Sequence, residues 1–132
     1  AKANGTVGLL SLDRIRLYDR IEYGQNLVEA DNRRYIEVAM ELRSFRERFS
    51  SVPVPRYRIP TPDLARLTMP ELLEYRVLIG KVLSAAIAYD GRLRNLDLQS
   101  RAILDGASDE SDLREAVANL PKSEADAANR EP

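Results

Sequence analysis

The chain has 132 residues, of which 44% are hydrophobic and 31% are charged, and these values are typical of one folded domain. It contains no cysteine and no histidine, which excludes disulfides, thiolate chemistry and the histidine-based catalytic and zinc sites. No stretch matches a signal peptide or approaches the roughly 18 apolar residues of a membrane span, so we expect a cytoplasmic protein with no membrane contact.

Charge is divided unevenly along the chain. Residues 1–104 hold 17 basic and 13 acidic residues, a net charge of +4, whereas residues 105–132 hold 3 basic and 8 acidic residues, a net charge of −5. An acidic tail of this kind can compete with a partner for a basic surface, or it can simply keep the protein soluble.

Residues 1–10 carry no helical pattern and are expected to be flexible. The first predicted helix covers residues 11–49, because apolar side chains recur there at alternating spacings of four and three, as in a coiled coil. Gly24 and Asp31 occupy two positions of this seam that should be apolar. We predict one helix with a kink at Gly24, and a split near Asp31 and Asn32 is the alternative.

The second predicted helix covers residues 68–104. Thr68 and Glu71 have the spacing of a capping box, and a three-and-four apolar pattern follows them. The pattern continues through Asp90 and Gly91, so we predict a helix there rather than a turn. Its seam consists of Leu72, Tyr75, Ile79, Val82, Ala86, Tyr89, Leu93 and Leu96.

The connection, residues 50–63, contains four of the seven prolines of the chain, which favour extended backbone and end the first helix. A short turn within TPDLARL, capped by Thr61, is expected just before the second helix. The simplest arrangement is all-α, an antiparallel helical hairpin with the prolines at its tip. A linker between two independent domains is less favoured, because neither half could bury its apolar stripe alone.

A second apolar stripe lies on the second helix, about 100° round from the first and with small residues beside it. A helix that is apolar on two faces needs two partners, so we predict a dimer that forms a four-helix bundle. In the alternative, the first helix breaks and folds back to cover both faces. The residues predicted for self-association are Leu73, Val77, Gly80, Ser84, Ile87 and Gly91.

The tail, residues 105–132, begins with a helix stop at Asp105 and Gly106. A short helix is predicted near residues 109–120, capped by Ser108 and ended by Pro121, with disorder beyond. Few apolar residues lie in this tail, so we expect it to add little to the core and to be dispensable for folding.

The basic connection is the best candidate for contact with a partner, which we expect to be another protein. Five arginines, one acid and three aromatic residues fall within residues 43–58. Such a set suits an acidic protein groove, and it also suits nucleic acid through phosphate contacts and stacking. A simpler interpretation is that Phe45 and Phe49 close the end of the bundle while the arginines face water. The residues predicted to contact a partner are Arg43, Arg46, Arg48, Arg56, Tyr57 and Arg58.

Catalytic patterns are missing from the sequence. The six glycines match no nucleotide-binding fingerprint, and no serine has a base to activate it. We therefore expect no enzyme activity, no cofactor and no metal. The sequence favours a non-catalytic, self-associating helical module that regulates or scaffolds through protein contacts, and the alternative is an accessory nucleic-acid-binding protein.

Overall fold

The computed structural model describes residues 11–128, with side chains described for residues 11–119. In this range the chain forms three α-helices and no strand: α1 is Leu12–Arg48, α2 is Met69–Leu104 and α3 is Glu110–Ala128. The all-α helical hairpin is therefore confirmed. The predicted flexibility of residues 1–10 lies outside the described residues.

The chain consists of two compact units, each defined by the contacts that its residues make with one another. The middle unit is Val28–Gly91. The terminal unit consists of the described parts of Ala1–Leu27 and Arg92–Pro132.

The middle unit shows that α1 and α2 run antiparallel. The ring of Phe45 stacks on that of Tyr75 at 5.2 Å, and the ring of Tyr35 stacks on that of Tyr89 at 6.4 Å. Tyr35, which precedes Phe45 on α1, contacts Tyr89, which follows Tyr75 on α2. This order is that of an antiparallel pair of helices.

The core of the middle unit lies near the connection. It consists of the buried side chains Leu42, Phe45, Leu67 and Leu78. The seam predicted for α2 is wrong at one position here, because Leu78 is 9% exposed whereas Ile79 is 40% exposed. The predicted Leu72, Tyr75 and Val82 do pack against the core. Leu78 and Ile79 lie 100° apart, on either side of this seam, and only contact with α1 determines which of them is buried.

Helix α1 begins at a serine cap and is continuous to Arg48. The hydroxyl of Ser11 accepts a hydrogen bond from the backbone N–H of Arg14 at 3.3 Å. The alternative of a split near Asp31 is therefore wrong. A Cβ on Gly24 would lie 3.0 Å from Cδ1 of Leu96, so Gly24 allows α2 to approach closely within the terminal unit.

Helix α2 begins with the predicted capping box. The N–H of Thr68 donates to Oε2 of Glu71 at 2.6 Å, and the N–H of Glu71 donates to the Thr68 hydroxyl at 3.4 Å. The short 3-10 turn before it is Leu64–Arg66, and Asp63 caps this turn rather than Thr61. The Asp63 carboxylate accepts from the N–H of Ala65, because it is the nearer side chain.

The predicted stop at the end of α2 is confirmed. Gly106 has a φ of 105°, its N–H donates to Ile103 O at 3.2 Å, and the N–H of Ala107 donates to Ala102 O at 2.8 Å. This is a Schellman ending, which needs the left-handed backbone that glycine adopts without strain.

The predicted start of α3 agrees with the structure to within one residue, but the capping residue and the end of the helix are wrong. Asp109 takes the capping role given to Ser108, because its carboxylate accepts from the N–H of Asp112 at 3.0 Å. The Asp112 carboxylate accepts in turn from the backbone N–H and hydroxyl of Ser108, and these bonds lower the pKa of Asp112. The helix also continues through Pro121 to Ala128, where disorder was expected. A proline removes one backbone donor, and the alanine-rich residues that follow favour a helix.

The tail contributes to the core of the terminal unit, contrary to the sequence expectation. Leu113 of α3 is fully buried, as is Leu17 of α1 at 2% exposure. Arg20 of α1 forms an ion pair with Glu110 of α3 at 3.6 Å. Burial of the apolar side chain of Leu113 stabilises the docking of α3. The amino-acid composition of the tail did not predict this burial.

Candidate interaction surfaces

The face of α2 predicted for self-association is exposed. We call it the outer face, and it consists of Leu73, Val77, Gly80, Ser84, Ile87 and Gly91. Leu73, Val77 and Ile87 are 56%, 58% and 65% exposed. Between Met69 and Gly91, no position on this face holds a charged residue. All six predicted residues thus lie on one uncharged surface of the middle unit.

The outer face lies on the opposite side of α2 from the core. Leu78 and Ala85 are buried against the rest of the middle unit, and the middle of the outer face lies about 120 to 140° round the helix from them. The predicted offset of 100° is too small, because at 100° per residue Leu73 lies half a turn from Val82 of the predicted seam. The alternative in which α1 folds back over this face is also wrong, because α1 is one continuous helix.

Two glycines of the outer face are not required by contacts with the described residues of the chain. A Cβ added at Gly80 or Gly91 would meet nothing within 4 Å among them. A glycine in a helix interior costs about 1 kcal/mol relative to alanine. Packing in the described part of the chain offers no compensation for that cost, in contrast to Gly24.

Three of the predicted partner-binding arginines pack on their own chain. Arg43 forms an ion pair with Glu47 at 2.8 Å and donates to the carbonyl of Arg58 at 3.2 Å. Arg46 donates to the hydroxyl of Tyr75 at 3.2 Å and lies over its ring.

Arg48 covers the end of the core in a similar way. Its guanidinium lies 4.7 Å from the ring centre of Phe49 and 5.3 Å from that of Phe45, and it reaches Glu74 at 3.5 Å. The simpler sequence interpretation, that the two phenylalanines close this end, describes Phe45 well, since it is only 3% exposed. Arg46 and Arg48 thus lie over aromatic rings rather than simply facing water.

The other three predicted residues lie on a turn. The N–H of Arg58 donates to the carbonyl of Pro55 at 2.9 Å, which closes a turn around Arg56 and Tyr57. Tyr57 is 84% exposed, and both arginine side chains are exposed beside it. The predicted set therefore divides into a packed group on α1 and an exposed group on this turn.

The middle unit also has a groove of about 370 Å³. Its lining includes Ile36, Met40 and Ile59, which are exposed, and Arg43 and Arg46 lie at its edge. An apolar groove with two neighbouring cations can hold an apolar side chain that is flanked by an acid. The sequence pattern did not single out this site, because α1 and the connection form it together.

Within residues 11–119, whose side chains are described, no group of three or more acidic side chains is placed so that it could hold a metal ion. No helix in the described part of the chain has an apolar stretch long enough to cross a membrane. No family model, curated protein or solved structure matches this chain, so its function has to be argued from these surfaces.

Proposed function

We propose that this chain is a non-catalytic helical interaction module that forms a homodimer through the outer face of α2, so that the two hairpins pack against each other through their α2 helices. The observation that supports this most directly is the uncharged, exposed face opposite the core of the middle unit. A helix that is apolar on opposite sides is typical of an element packed between two others.

The expected strength of this dimer follows from the side chains that it buries. Met69, Leu73, Val77 and Ile87 are each more than half exposed in the single chain. Completing their burial contributes about 1 kcal/mol each, or about 8 kcal/mol for the eight side chains of two copies. Association costs on the order of 4 to 15 kcal/mol, so close packing and charge complementarity must add to this burial. A micromolar dimer needs a net binding free energy of about 8 kcal/mol, so packing and charge complementarity must offset the whole cost of association.

The groove beside Arg43 and Arg46 supports a role in regulation or scaffolding. It lies on α1 and the connection, away from the outer face of α2. A dimer would thus keep one such groove open on each copy. The partner chemistry that fits is an apolar side chain next to an acidic one on another protein.

We expect the dimer to depend on Ile87. Sedimentation equilibrium at about 10 µM should give twice the 14.9 kDa chain mass. Ile87→Glu should weaken the dimer by at least about 100-fold, because the symmetric interface would bury two unpaired carboxylates.

Met40→Glu is the matched control, since Met40 is also exposed but lies on α1. It should remain a dimer. A wild-type chain that sediments as a monomer even at ten times this concentration would show that the outer face does not bind a second copy.

The alternative function, an accessory nucleic-acid binder with an arginine-rich tip, has one observation in its favour. Tyr57 is 84% exposed and stands between two exposed arginines. An aromatic ring and cations on one turn can stack on a base and contact phosphates.

Salt dependence of DNA binding tests this alternative. Replacing Arg56 and Arg58 by Ser should reduce the slope of log affinity against log salt by about 2, because two phosphate contacts are lost. Replacing Arg33 and Arg101, exposed arginines paired on their own helices, removes the same charge and should leave the slope unchanged. Equal slopes for the two variants, or no binding at low salt, would refute the alternative.

A further inference from the structure

The outer face carries a pattern that gives the orientation of the second copy. We infer that the two copies of α2 pack antiparallel, with the two-fold axis passing at the level of Val82. This inference rests on the proposed dimer and adds its register and direction.

The residues of the outer face form pairs that are equidistant from Val82. Gly80 and Ser84 are each two residues away, Val77 and Ile87 are each five away, and Leu73 and Gly91 are each nine away. In an antiparallel dimer centred at this level, the members of each pair lie opposite one another across the axis.

These pairs are also complementary in size. Gly80 lies opposite Ser84 of the partner subunit, so the two backbones can approach closely at the centre of the interface. At each end, Leu73 lies opposite Gly91 of the partner subunit, where a Cβ would meet nothing in the single chain. The open space beside both glycines is thus filled by the second copy. Contact with the second copy would thus explain why these two positions are glycine, although no contact among the described residues requires it.

The charges beside the outer face favour the same orientation. Arg76, Leu83 and Asp90 follow one another at seven-residue spacing along one edge of the face. In an antiparallel pair this edge meets the same edge of the partner. Arg76 then lies beside Asp90 of the partner subunit, twice by symmetry, so that Asp90 adds this contact to the interaction that it makes within its own chain. The exposed Leu83 meets its own copy near the axis.

The opposite edge contains one pair of like charges. Glu74 faces Ala88 of the partner subunit, and Lys81 approaches Lys81 of the partner subunit near the axis. Lys81 is already paired with Glu41 of α1 at 3.9 Å, which offsets its charge. The edge is therefore close to neutral at its centre.

A parallel pair would fit less well. It would place each glycine against the same glycine and each large residue against the same large residue, so the spacing between the helices would be uneven. It would also bring Arg76 beside Lys81 of the partner subunit, since parallel helices join opposite edges. Both size and charge thus favour the antiparallel arrangement.

Disulfide cross-linking can measure the orientation directly, because the chain has no cysteine. We would mix differently tagged Val77→Cys and Ile87→Cys chains under mild oxidation. The antiparallel dimer should yield the mixed disulfide at least about tenfold over either like pair. Like positions would be separated by ten residues, or about 15 Å along the helix, which is beyond disulfide reach. Ser44→Cys on α1 measures random collision.

Charge reversal provides a second, independent measurement. Arg76→Asp alone should weaken the dimer about tenfold, and the double variant Arg76→Asp with Asp90→Arg should return to within about threefold of wild type. A dimer that links Val77→Cys to itself, or that is not rescued by the double variant, would overturn the orientation and leave the proposed dimer standing. A chain that never sediments as a dimer would overturn both.

Discussion

Removal of residues 105–132 should lower the melting temperature of the protein by about 10 to 20 °C. Leu113 is fully buried in the terminal unit, and deleting the tail also exposes the apolar surface that Leu113 covers. Loss of one buried leucine costs about 2 to 5 kcal/mol, and each kcal/mol shifts the melting temperature of a domain of this size by several degrees. Thermal unfolding followed by circular dichroism measures this shift.

Two further variants distinguish the effect of losing the docked α3 from the effect of shortening the chain. A chain that ends at Leu120 retains Leu113 and the Arg20–Glu110 ion pair and should melt close to the full chain. Leu113→Ala in the full chain should reproduce most of the loss. If both truncated chains melted within a few degrees of the full chain, α3 would not stabilise the terminal unit.

The second large effect is expected at Phe45. Phe45→Ala should lower the free energy of unfolding by about 3 to 5 kcal/mol, the usual cost of removing a buried aromatic ring. The ring is 3% exposed, contacts the rings of Phe49 and Tyr75, and supports the guanidinium of Arg48. Urea denaturation would give the free energy directly.

Tyr57→Ala is the matched control for this experiment. Tyr57 lies in the same part of the middle unit but is 84% exposed, so its removal should change the free energy of unfolding by no more than about 0.5 kcal/mol. If Phe45→Ala and Tyr57→Ala had equal effects, the buried cluster near the connection would not be the core of the unit.

The sequence by itself determined the helices and most of their ends. The capping box of Thr68 and Glu71 and the stop at Gly106 depend on residues that are neighbours along the chain, so their geometry can be inferred from local order. The same holds for the outer face of α2, because helical spacing alone places its six residues on one side.

Only the tertiary structure decided which positions the helices bury against one another. The burial of Leu78 instead of Ile79 depends on how α2 is rotated against α1, because the two residues flank the same seam and either one fits a three-and-four pattern. Tertiary contacts also decided which arginines pack on the chain and which are exposed. Arg46 contacts Tyr75 and Arg48 contacts Glu74, and both partners are distant in sequence.

The docking of α3 could likewise not be predicted from the sequence. Its composition is acidic and poor in apolar residues, which predicted a tail that adds little to the core. Leu113 is nevertheless fully buried, and Arg20 meets Glu110, because the turn after Gly106 brings the start of α3 to α1. Local patterns encode a helix and its faces, whereas the surface that covers each face depends on contacts between residues far apart in the chain.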